Sequence, residues 1–465
     1  MASGVGHRLG AIYREYPRAF WSLVVVTFID RLGGALLFPF FALYITSKFG
    51  VGMTEVGILF ALWSVSSFVG TGLGGALTDR IGRKRMLIFS LISTSLSSLI
   101  MGLIDSLQAF FMLALLAGIF TDTGGPAQQA MVADLLPEEK RAQGYGIIRV
   151  AFNLSVTIGP AIGGFMASRS YLLLFVADAV ISLGVAVIVA LALPETRPQT
   201  SPETERESVA RTFAGYGRVL RDRVFMIFLA ACMLMSFVYI NLSTTLGVYL
   251  RDVHGIAEAR YGLLISLNAA MVVLFQFPIT RRIENLPPML MMAIGTLLYA
   301  IGFAMYGFTA TYGFFMLAMA VITVGEMIVA PVFQALVSSM APEDMRGRYM
   351  AVSGIISWAL PFAIGPMIAG AILDSADPRW LWYLAGVVGM VSVGVFLLLH
   401  RSRQGAQVAA VAVIIGGRSP PIIGLAGPLN IGVDVPSWGV PLGGAYPEEG
   451  GLRCDQGSEE TRRLL

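Results

Sequence analysis

The chain has 465 residues, of which 13% are charged and 56% hydrophobic, and its mean hydropathy is +0.74. Soluble globular proteins carry roughly 25% charged residues, so the composition excludes an ordinary soluble domain and indicates a chain that lies mostly in lipid. The formal net charge is only +3, and without a basic stripe interleaved with aromatic residues we expect no nucleic-acid partner.

Twelve apolar runs are each long enough to cross a membrane as a helix, which takes about 20 residues. The runs lie at roughly 20–46, 55–77, 85–104, 109–133, 144–168, 171–193, 224–249, 261–280, 288–308, 312–338, 348–373 and 379–400. They are continuous and lack the period-two alternation of membrane β-strands. The sequence therefore predicts an all-α membrane protein with twelve transmembrane helices.

Basic residues are distributed unevenly between the two sides of these predicted helices. In the loops and flanks up to residue 403, 21 Lys and Arg residues lie on the side of the amino terminus and 5 on the other. Because short loops rich in Lys and Arg stay in the cytoplasm, we expect both termini to be cytoplasmic. The membrane itself is expected to be the plasma (inner) membrane of a bacterium.

Ionisable residues interrupt a few of the apolar runs, as Asp30 does in span one and Glu326 in span ten. Each costs about 2.5–3.5 kcal/mol at a helix centre on insertion scales, so such residues usually face a cavity or a partner. The candidate substrate and proton-coupling residues are Asp30, Arg31, Asp122, Arg149, Asn153 and Glu326. The alternative is that these residues have a static role. Asp30 or Glu326 would then pair with Arg31, and the Arg149 side chain would extend to the aqueous interface.

The loop between spans two and three, GGALTDRIGRKRML (74–87), is crowded with charge. Its charged residues are Asp79, Arg80, Arg83, Lys84 and Arg85. The basic ones help to hold the loop in the cytoplasm, a role that does not require Asp79. A tight turn that only fixes the topology is the simpler alternative.

The two halves of the chain resemble each other. PAQQAMVADLLPEEKRAQGYG (126–146) aligns with PVFQALVSSMAPEDMRGRYMA (331–351) at an offset of 205 residues, and GPAIGG (159–164) aligns with GPMIAG (365–370) at 206. Two six-helix bundles are therefore predicted, with a polar cytoplasmic linker between them and a poorly structured cytoplasmic tail after them. The predicted segments are 1–193, 194–223, 224–401 and 402–465.

A parallel repeat of six helices predicts a site near the midplane between the halves. Asp122 and Glu326 occupy nearly equivalent positions of the two repeats. We therefore expect two carboxylates that face each other across the pseudo-axis. Such a pair would suit a cationic substrate or a proton, since a buried carboxyl group can exchange a proton near neutral pH.

These motifs are similar to those of the major facilitator superfamily, and more narrowly to those of its drug:proton antiporters with twelve spans. The loop signature G-x-L-x-D-R-x-G-R-K is matched by Gly75, Leu77, Asp79, Arg80, Gly82, Arg83 and Lys84. LGGALLFP (32–39) is similar to the pattern of the family's first helix. The antiporter signature of its fifth helix resembles Gly159, Pro160, Gly163 and Gly164. Span four departs from the family, because 115–125 lacks the usual arginine, which leaves the coupling ion open.

The resemblance implies a conformational latch at the charged loop. Asp79 would accept hydrogen bonds from the start of span eleven, where the helix dipole favours an anion, and Arg83 would bridge Asp79 to Asp134. The latch would form in the outward-facing state and break when the cytoplasmic side opens. Its residues would be Gly75, Asp79, Arg80, Gly82, Arg83 and Asp134.

The glycines of span five have a second implied role. They would let helices of the two halves approach closely, while Pro160 would bend the helix and limit leakage. Ordinary packing of small residues is the alternative.

The function that the resemblance implies is secondary active transport, as proton-coupled efflux of lipophilic or cationic small molecules by alternating access. The alternatives are a carrier for one metabolite, such as a sugar, amino acid or siderophore, and a membrane sensor without transport. The sequence has no G-x-x-x-x-G-K-[ST] loop and only three scattered histidines. We therefore expect no ATP-driven pump, no enzyme, no metal and no cofactor. A single chain is expected to be the functional unit.

Overall fold

The computed structural model describes residues 15–196, 216–342 and 345–416, without the side chains of residues 76, 79, 142 and 403–416. Within these ranges twelve helices are long and apolar enough to cross a membrane. They are α1 Arg18–Phe49, α2 Met53–Ile81, α3 Arg83–Leu103, α4 Leu107–Leu135, α5 Glu138–Ala167, α6 Tyr171–Ala192, α7 Arg223–Thr244, α8 Glu258–Ile283, α9 Pro288–Phe308, α10 Tyr312–Met340, α11 Arg346–Ser375 and α12 Arg379–Gly416. The predicted all-α architecture with twelve spans is confirmed.

The last helix is longer than the apolar run that predicts it. Helix α12 ends at Gly416, whereas the run ends near residue 400. The first part of the predicted tail is therefore helical, and residues 417–465 lie outside the described residues. In the predicted linker, residues 216–221 form a short helix, and 197–215 also lie outside the described part of the chain.

Four of the long helices are interrupted. In α1 a single turn of 3₁₀-helix, Phe38–Phe40, surrounds Pro39, which has no N–H to give to the helix. Helix α7 is followed by a short separate helix, Leu246–His254, and α11 contains a π-helical turn, Ile355–Ala359. Such interruptions leave backbone groups and side chains available in the interior of the membrane.

The break in α4 lies at its centre. One helix ends at Thr121 and the next begins at Gly124, with Asp122 and Thr123 between them. The local sequence TDTGGP explains the break, because Gly and Pro are the poorest helix formers. The Ser90 hydroxyl of α3 donates a hydrogen bond to the freed Thr121 carbonyl. Asp122 is therefore held at a bend of the chain in the middle of the span.

The helices alternate in direction, so Arg18 at the start of α1 and Arg401 of α12 lie on the same side, here called the terminal face. The side that holds Phe49 and the start of α2 is called the opposite face. Helices of the two halves pack against each other in two pairs, α2 with α11 and α5 with α8. These two pairs are the main contacts between the halves.

Candidate functional site

The main candidate site is a cavity of about 290 Å³ in the amino-terminal half. Its wall is formed by α1, α2, α3, α4 and α6, and among the described residues Phe362 of α11 is the contribution of the second half. The sequence predicts a site between the halves; this cavity lies mainly in the first half, and Phe362 of the second half completes its wall. Small residues along its wall, such as Gly34, Ser97 and Gly125, and the break in α4 open space inside one bundle instead.

Four charged side chains line this cavity: Asp30, Arg31, Asp122 and Asp178. If all four are ionised, three carboxylates and one guanidinium give the wall a formal charge of −2. A concave site with low-dielectric walls concentrates such a field. With all four groups ionised, the cavity would therefore attract cations.

Asp30 and Arg31 are neighbours in α1 and face the cavity together. Arg31 Nε lies 3.9 Å from Asp30 Oδ2, and Arg31 Nη2 donates a hydrogen bond to Gln128 Oε1 of α4 over 3.4 Å. The side chains are 26% and 43% exposed, respectively. The pair is therefore loose, and part of the Asp30 carboxylate remains open to the cavity.

Asp122 has a different environment at the break of α4. Its carboxylate accepts a hydrogen bond from the Ser67 hydroxyl of α2. Asp122 has no Lys or Arg within ion-pair distance among the described residues. Its charge therefore faces the cavity without a cationic neighbour in contact.

Asp178 in α6 was not singled out in the sequence. Asp178 is only 5% exposed, and it lines the same cavity as Asp30 and Asp122. The signal was available, because an aspartate in the middle of the apolar run 171–193 has the same insertion cost that drew attention to Asp122.

Glu326 does not line this cavity. It lies on α10, where its Oε2 accepts a hydrogen bond from Asn268 Nδ2 of α8 over 2.7 Å, and where the Tyr239 hydroxyl of α7 also contacts it. The expected meeting of Asp122 and Glu326 across the pseudo-axis is therefore not observed at this site. The physical reason is that α10 continues as a helix through Glu326, whereas α4 breaks at Asp122.

The two candidates on α5 also lie away from the cavity wall. The Arg149 side chain is exposed and the Asn153 side chain is half-buried. One described contact of Asn153 is through its carbonyl, which accepts from the Thr157 hydroxyl over 2.8 Å.

The glycine signature of α5 lies between helices of both halves. A Cβ on Gly159 would be 2.5 Å from the Ala35 Cβ, and one on Gly163 would be 2.3 Å from the Leu36 carbonyl oxygen, so α1 packs directly on this face. Gly164 faces the second half, with its Cβ position 2.7 Å from the carbonyl oxygen of Glu258 in α8. The Pro160 carbonyl also lies against α8. Side chains here would separate these helices.

The charged loop forms an ion pair with the end of α4. Arg83 Nε lies 3.1 Å from Asp134 Oδ2, and Arg83 Nη1 donates to the Thr78 carbonyl over 3.2 Å. The Thr196 hydroxyl donates to the same Asp134 oxygen over 2.9 Å. The turn before Arg83 depends on Gly82, whose φ of 110° favours glycine.

The remaining latch residues have less described structure. The side chain of Asp79 lies outside the described residues, so its predicted partners stay a prediction. Arg80 is exposed, and the Cβ position of Gly75 has open space around it.

The halves are fastened together at the opposite face. Asp374, at the end of α11, accepts hydrogen bonds from the backbone N–H groups of Met53 and Thr54 at the start of α2, over 2.9 and 2.7 Å. The Thr54 hydroxyl donates to the same carboxylate over 2.6 Å. A carboxylate at a helix N-terminus is stabilised by the helix dipole and by unpaired N–H groups. Asp374 therefore caps a helix of the other half.

Two further contacts close the same face. Arg251, in the short helix after α7, donates from Nη1 to the Leu43 carbonyl over 3.0 Å and from Nη2 to the Thr46 hydroxyl over 3.0 Å, both in α1. Tyr171 at the start of α6 donates to Glu258 Oε1 at the start of α8 over 2.7 Å. The structure is therefore closed at the opposite face.

Comparison with known proteins supports the fold and the class. A family model described as the Major Facilitator Superfamily matches residues 23–363 and 255–423. The chain is 31% identical over 428 residues to a Na(+), Li(+), K(+)/H(+) antiporter of Planococcus maritimus, covering 85% of this chain and 99% of that protein. It is 25% identical to multidrug resistance protein MdtH of Sodalis glossinidius (strain morsitans), covering 83% and 93%.

A solved structure shares the architecture. The nucleoside transporter NupG superimposes with a TM-score of 0.70 at 12% identity and covers 82% of this chain and 99% of its own. At that identity the likeness concerns the fold alone. The family match over more than half of the chain and the relative at 31% identity show that this chain belongs to the major facilitator superfamily and is a multi-pass membrane transporter, not an enzyme.

Proposed function

We propose that this chain is a proton-coupled exporter of lipophilic cations, which works by alternating access as a single chain in the plasma (inner) membrane of a bacterium. In this proposal the terminal face is the cytoplasmic face. The observation that carries the proposal is the cavity, in which Asp30, Asp122 and Asp178 outnumber one arginine.

The chemistry of the cavity wall supports a cation with an apolar body. The wall combines the three carboxylates with aromatic rings from both halves, namely Phe38, Phe41, Phe60, Trp63 and Phe362. Aromatic faces attract cations by about 0.5–2 kcal/mol per contact and also offer apolar area. The volume of about 290 Å³ is at the lower limit of ligand pockets.

Exchange for protons follows from the same groups. A carboxylate in a low-dielectric cavity is stabilised either by a proton or by a cation. If the cargo and the proton compete for these carboxylates, loading the cargo on one side releases a proton there. Proton entry from outside can then drive export.

The orientation rests on the distribution of charge. By sequence position, 21 of the Lys and Arg residues up to residue 403 flank the spans on the side of the amino terminus, and 5 flank them on the other side. Such an excess marks the cytoplasmic side. The closed opposite face would then be the outer one, and the structure would represent the inward-facing state.

An inorganic monovalent cation is the second candidate cargo. The Planococcus maritimus relative is named for exchanging Na(+), Li(+) and K(+) for protons, and MdtH is named for multidrug resistance. The acidic cavity suits both cargoes, whereas its aromatic wall favours the organic one. A carrier for one neutral metabolite or a sensor without transport would need no such charge.

Purified protein in proteoliposomes with an imposed pH gradient tests the proposal. We expect the gradient to drive accumulation of tetraphenylphosphonium or ethidium, and a protonophore to abolish it. Asp122→Asn should reduce this accumulation at least about tenfold, which corresponds to about 1.4 kcal/mol. Parallel assays with Na⁺ and K⁺ separate the two cargoes.

Asp105→Asn is the matched control. Asp105 is paired with Lys48 at 3.2 Å, but its side chain is 92% exposed and lies outside the cavity. We expect this variant to transport like the unchanged protein. Saturable exchange of one neutral metabolite, or no flux of any probe, would overturn the proposal.

A further inference from the structure

Asp178 stands apart from the other carboxylates of the cavity because it is buried without a basic partner. It is 5% exposed, whereas the Asp30 side chain is 26% exposed and lies beside Arg31. None of the ion pairs within the described residues includes Asp178. An isolated charge at such a position is costly and can be compensated by a proton or by a cation.

The helices packed around Asp178 explain this environment. Helix α1 approaches it through Gly33, whose Cβ position is only 2.8 Å from Asp178 Oδ1, and presents Asp30 and Arg31 to the same cavity. Helix α3 presents the hydroxyl of Ser98, which contacts the Asp178 carboxyl. From α4, Asp122 lines the wall. The charged neighbours are thus two carboxylates and one guanidinium.

The contacts of Arg31 in the described part of the chain are with residues other than Asp178. Arg31 is directed to Asp30 and to Gln128, at 3.9 and 3.4 Å. Asp30 and Asp178 line the same cavity, so their carboxylates repel each other when both are ionised. These two carboxylates therefore favour a state in which one is ionised and the other carries a proton.

We propose that Asp178 is the proton-carrying carboxyl group of the cavity, distinct from Asp122, which attracts the cargo. This inference rests on the proposed function and specifies the coupling step. When a cationic cargo enters from the terminal face, its charge stabilises an ionised Asp178. The O–H bond of the carboxyl group breaks, and the proton passes to water on that side. After the cavity opens to the opposite face and the cargo leaves, the carboxylate takes a proton from water there.

The test separates proton coupling from cargo binding. Asp178→Asn keeps the shape but cannot release a proton. In proteoliposomes a pH difference of about one unit supports about tenfold accumulation of a monovalent cation per coupled proton. We expect Asp178→Asn to lose this accumulation of tetraphenylphosphonium but to retain measurable, slower exchange of labelled for unlabelled tetraphenylphosphonium without a gradient.

Two further variants control for structure. Ser182→Ala removes a hydroxyl one turn along α6 that is 1% exposed and has no hydrogen-bond partner in the described part of the chain. It should leave both activities unchanged. Asp178→Glu keeps an ionisable group and should restore gradient-driven accumulation, with a displaced pH profile that a purely structural role would not produce.

Each outcome bears on one hypothesis. If the unchanged protein shows no gradient-driven transport, the proposed function fails and the assignment of Asp178 fails with it. If the unchanged protein transports and Asp178→Asn accumulates equally well, only the assignment is wrong. Loss of both accumulation and exchange in a folded Asp178→Asn protein would identify Asp178 as a cargo-binding residue and would also overturn the assignment. If Asp178→Asn does not fold, the same two assays on Asp178→Glu decide, and an unchanged pH profile would overturn it.

Discussion

At the scale of single residues, the Arg83–Asp134 pair is the best-defined element of the charged loop. The side chain of Arg83 is 6% exposed and that of Asp134 28%, so water screens the pair only in part. The same guanidinium also holds the Thr78 carbonyl at the end of α2. Loss of either partner would leave the other charge without its described ion pair.

This pair can be measured with a double-mutant cycle. We expect Arg83→Ala and Asp134→Ala each to lower the thermal stability of the detergent-solubilised protein, and the double variant to lose less than the sum. The coupling free energy should be about 0.5–3 kcal/mol, the range for residues in direct contact. Strictly additive losses would contradict a functional contact between the two side chains. Thr196→Ala, which removes only a hydroxyl from Asp134, should cost less than either charge.

At the scale of elements, the start of α2 is capped by a residue from the other half. Asp374 accepts hydrogen bonds from two backbone N–H groups there. Hydrogen bonds to an ionised acceptor contribute about 1.5–3 kcal/mol each. This cap is made when the opposite face is closed. Its removal therefore favours the conformation that is open at that face.

Hydrogen–deuterium exchange tests the cap. Asp374→Asn should increase exchange at the amides of Met53 and Thr54 by about tenfold, which corresponds to about 1.4 kcal/mol. Asp377→Asn is the matched control, because Asp377 accepts from the backbone N–H of Arg379 within its own half. Equal protection in Asp374→Asn and the control would show that the cap does not hold the face closed.

The elements also show what the sequence could predict. Hydropathy located all twelve spans because a helix in lipid must be apolar along its whole length. It did not reveal the break at Asp122 and Thr123, since an interrupted helix is as apolar as a continuous one. The TDTGGP stretch carried that signal in local propensity instead.

The site was harder to predict than the spans. The cost of an ionisable group in lipid points to Asp30, Arg31 and Asp122, and these residues line a cavity in the structure. Their common cavity with Asp178, and its position inside one half, depend on how α1, α3, α4 and α6 pack. Sequence periodicity contains no information about that packing. The repeat suggested a symmetric partner for Asp122, but the halves differ where α4 breaks and α10 does not.

At the scale of the whole molecule, two halves joined at one face predict a rocking motion. Tyr171 and Glu258 link the halves by a hydrogen bond of 2.7 Å at the opposite face. With Cys232 and Cys454 replaced, we expect Tyr171→Cys and Glu258→Cys joined by a short bifunctional maleimide to stop transport. The linker would hold the face closed and prevent release.

A pair within one half provides the control for this cross-link. Lys48 and Asp105 lie 3.2 Å apart at the same face and both belong to the first half. Joining Lys48→Cys to Asp105→Cys by the same reagent should leave transport nearly unchanged. Full transport by the chain cross-linked at 171 and 258 would exclude rocking about this face.

Phe362 gives the cavity an unequal construction. Its ring stacks on Phe38 with centroids 6.1 Å apart, while the rest of the described wall belongs to the first half. If the second half moves as proposed, this ring moves with it and away from the carboxylates. Charge selection would then be separate from size selection, because the acidic groups belong to one bundle and the aromatic cover to the other. Replacing Phe362 alone would then change the size of the cargo that is accepted without changing the preference for positive charge.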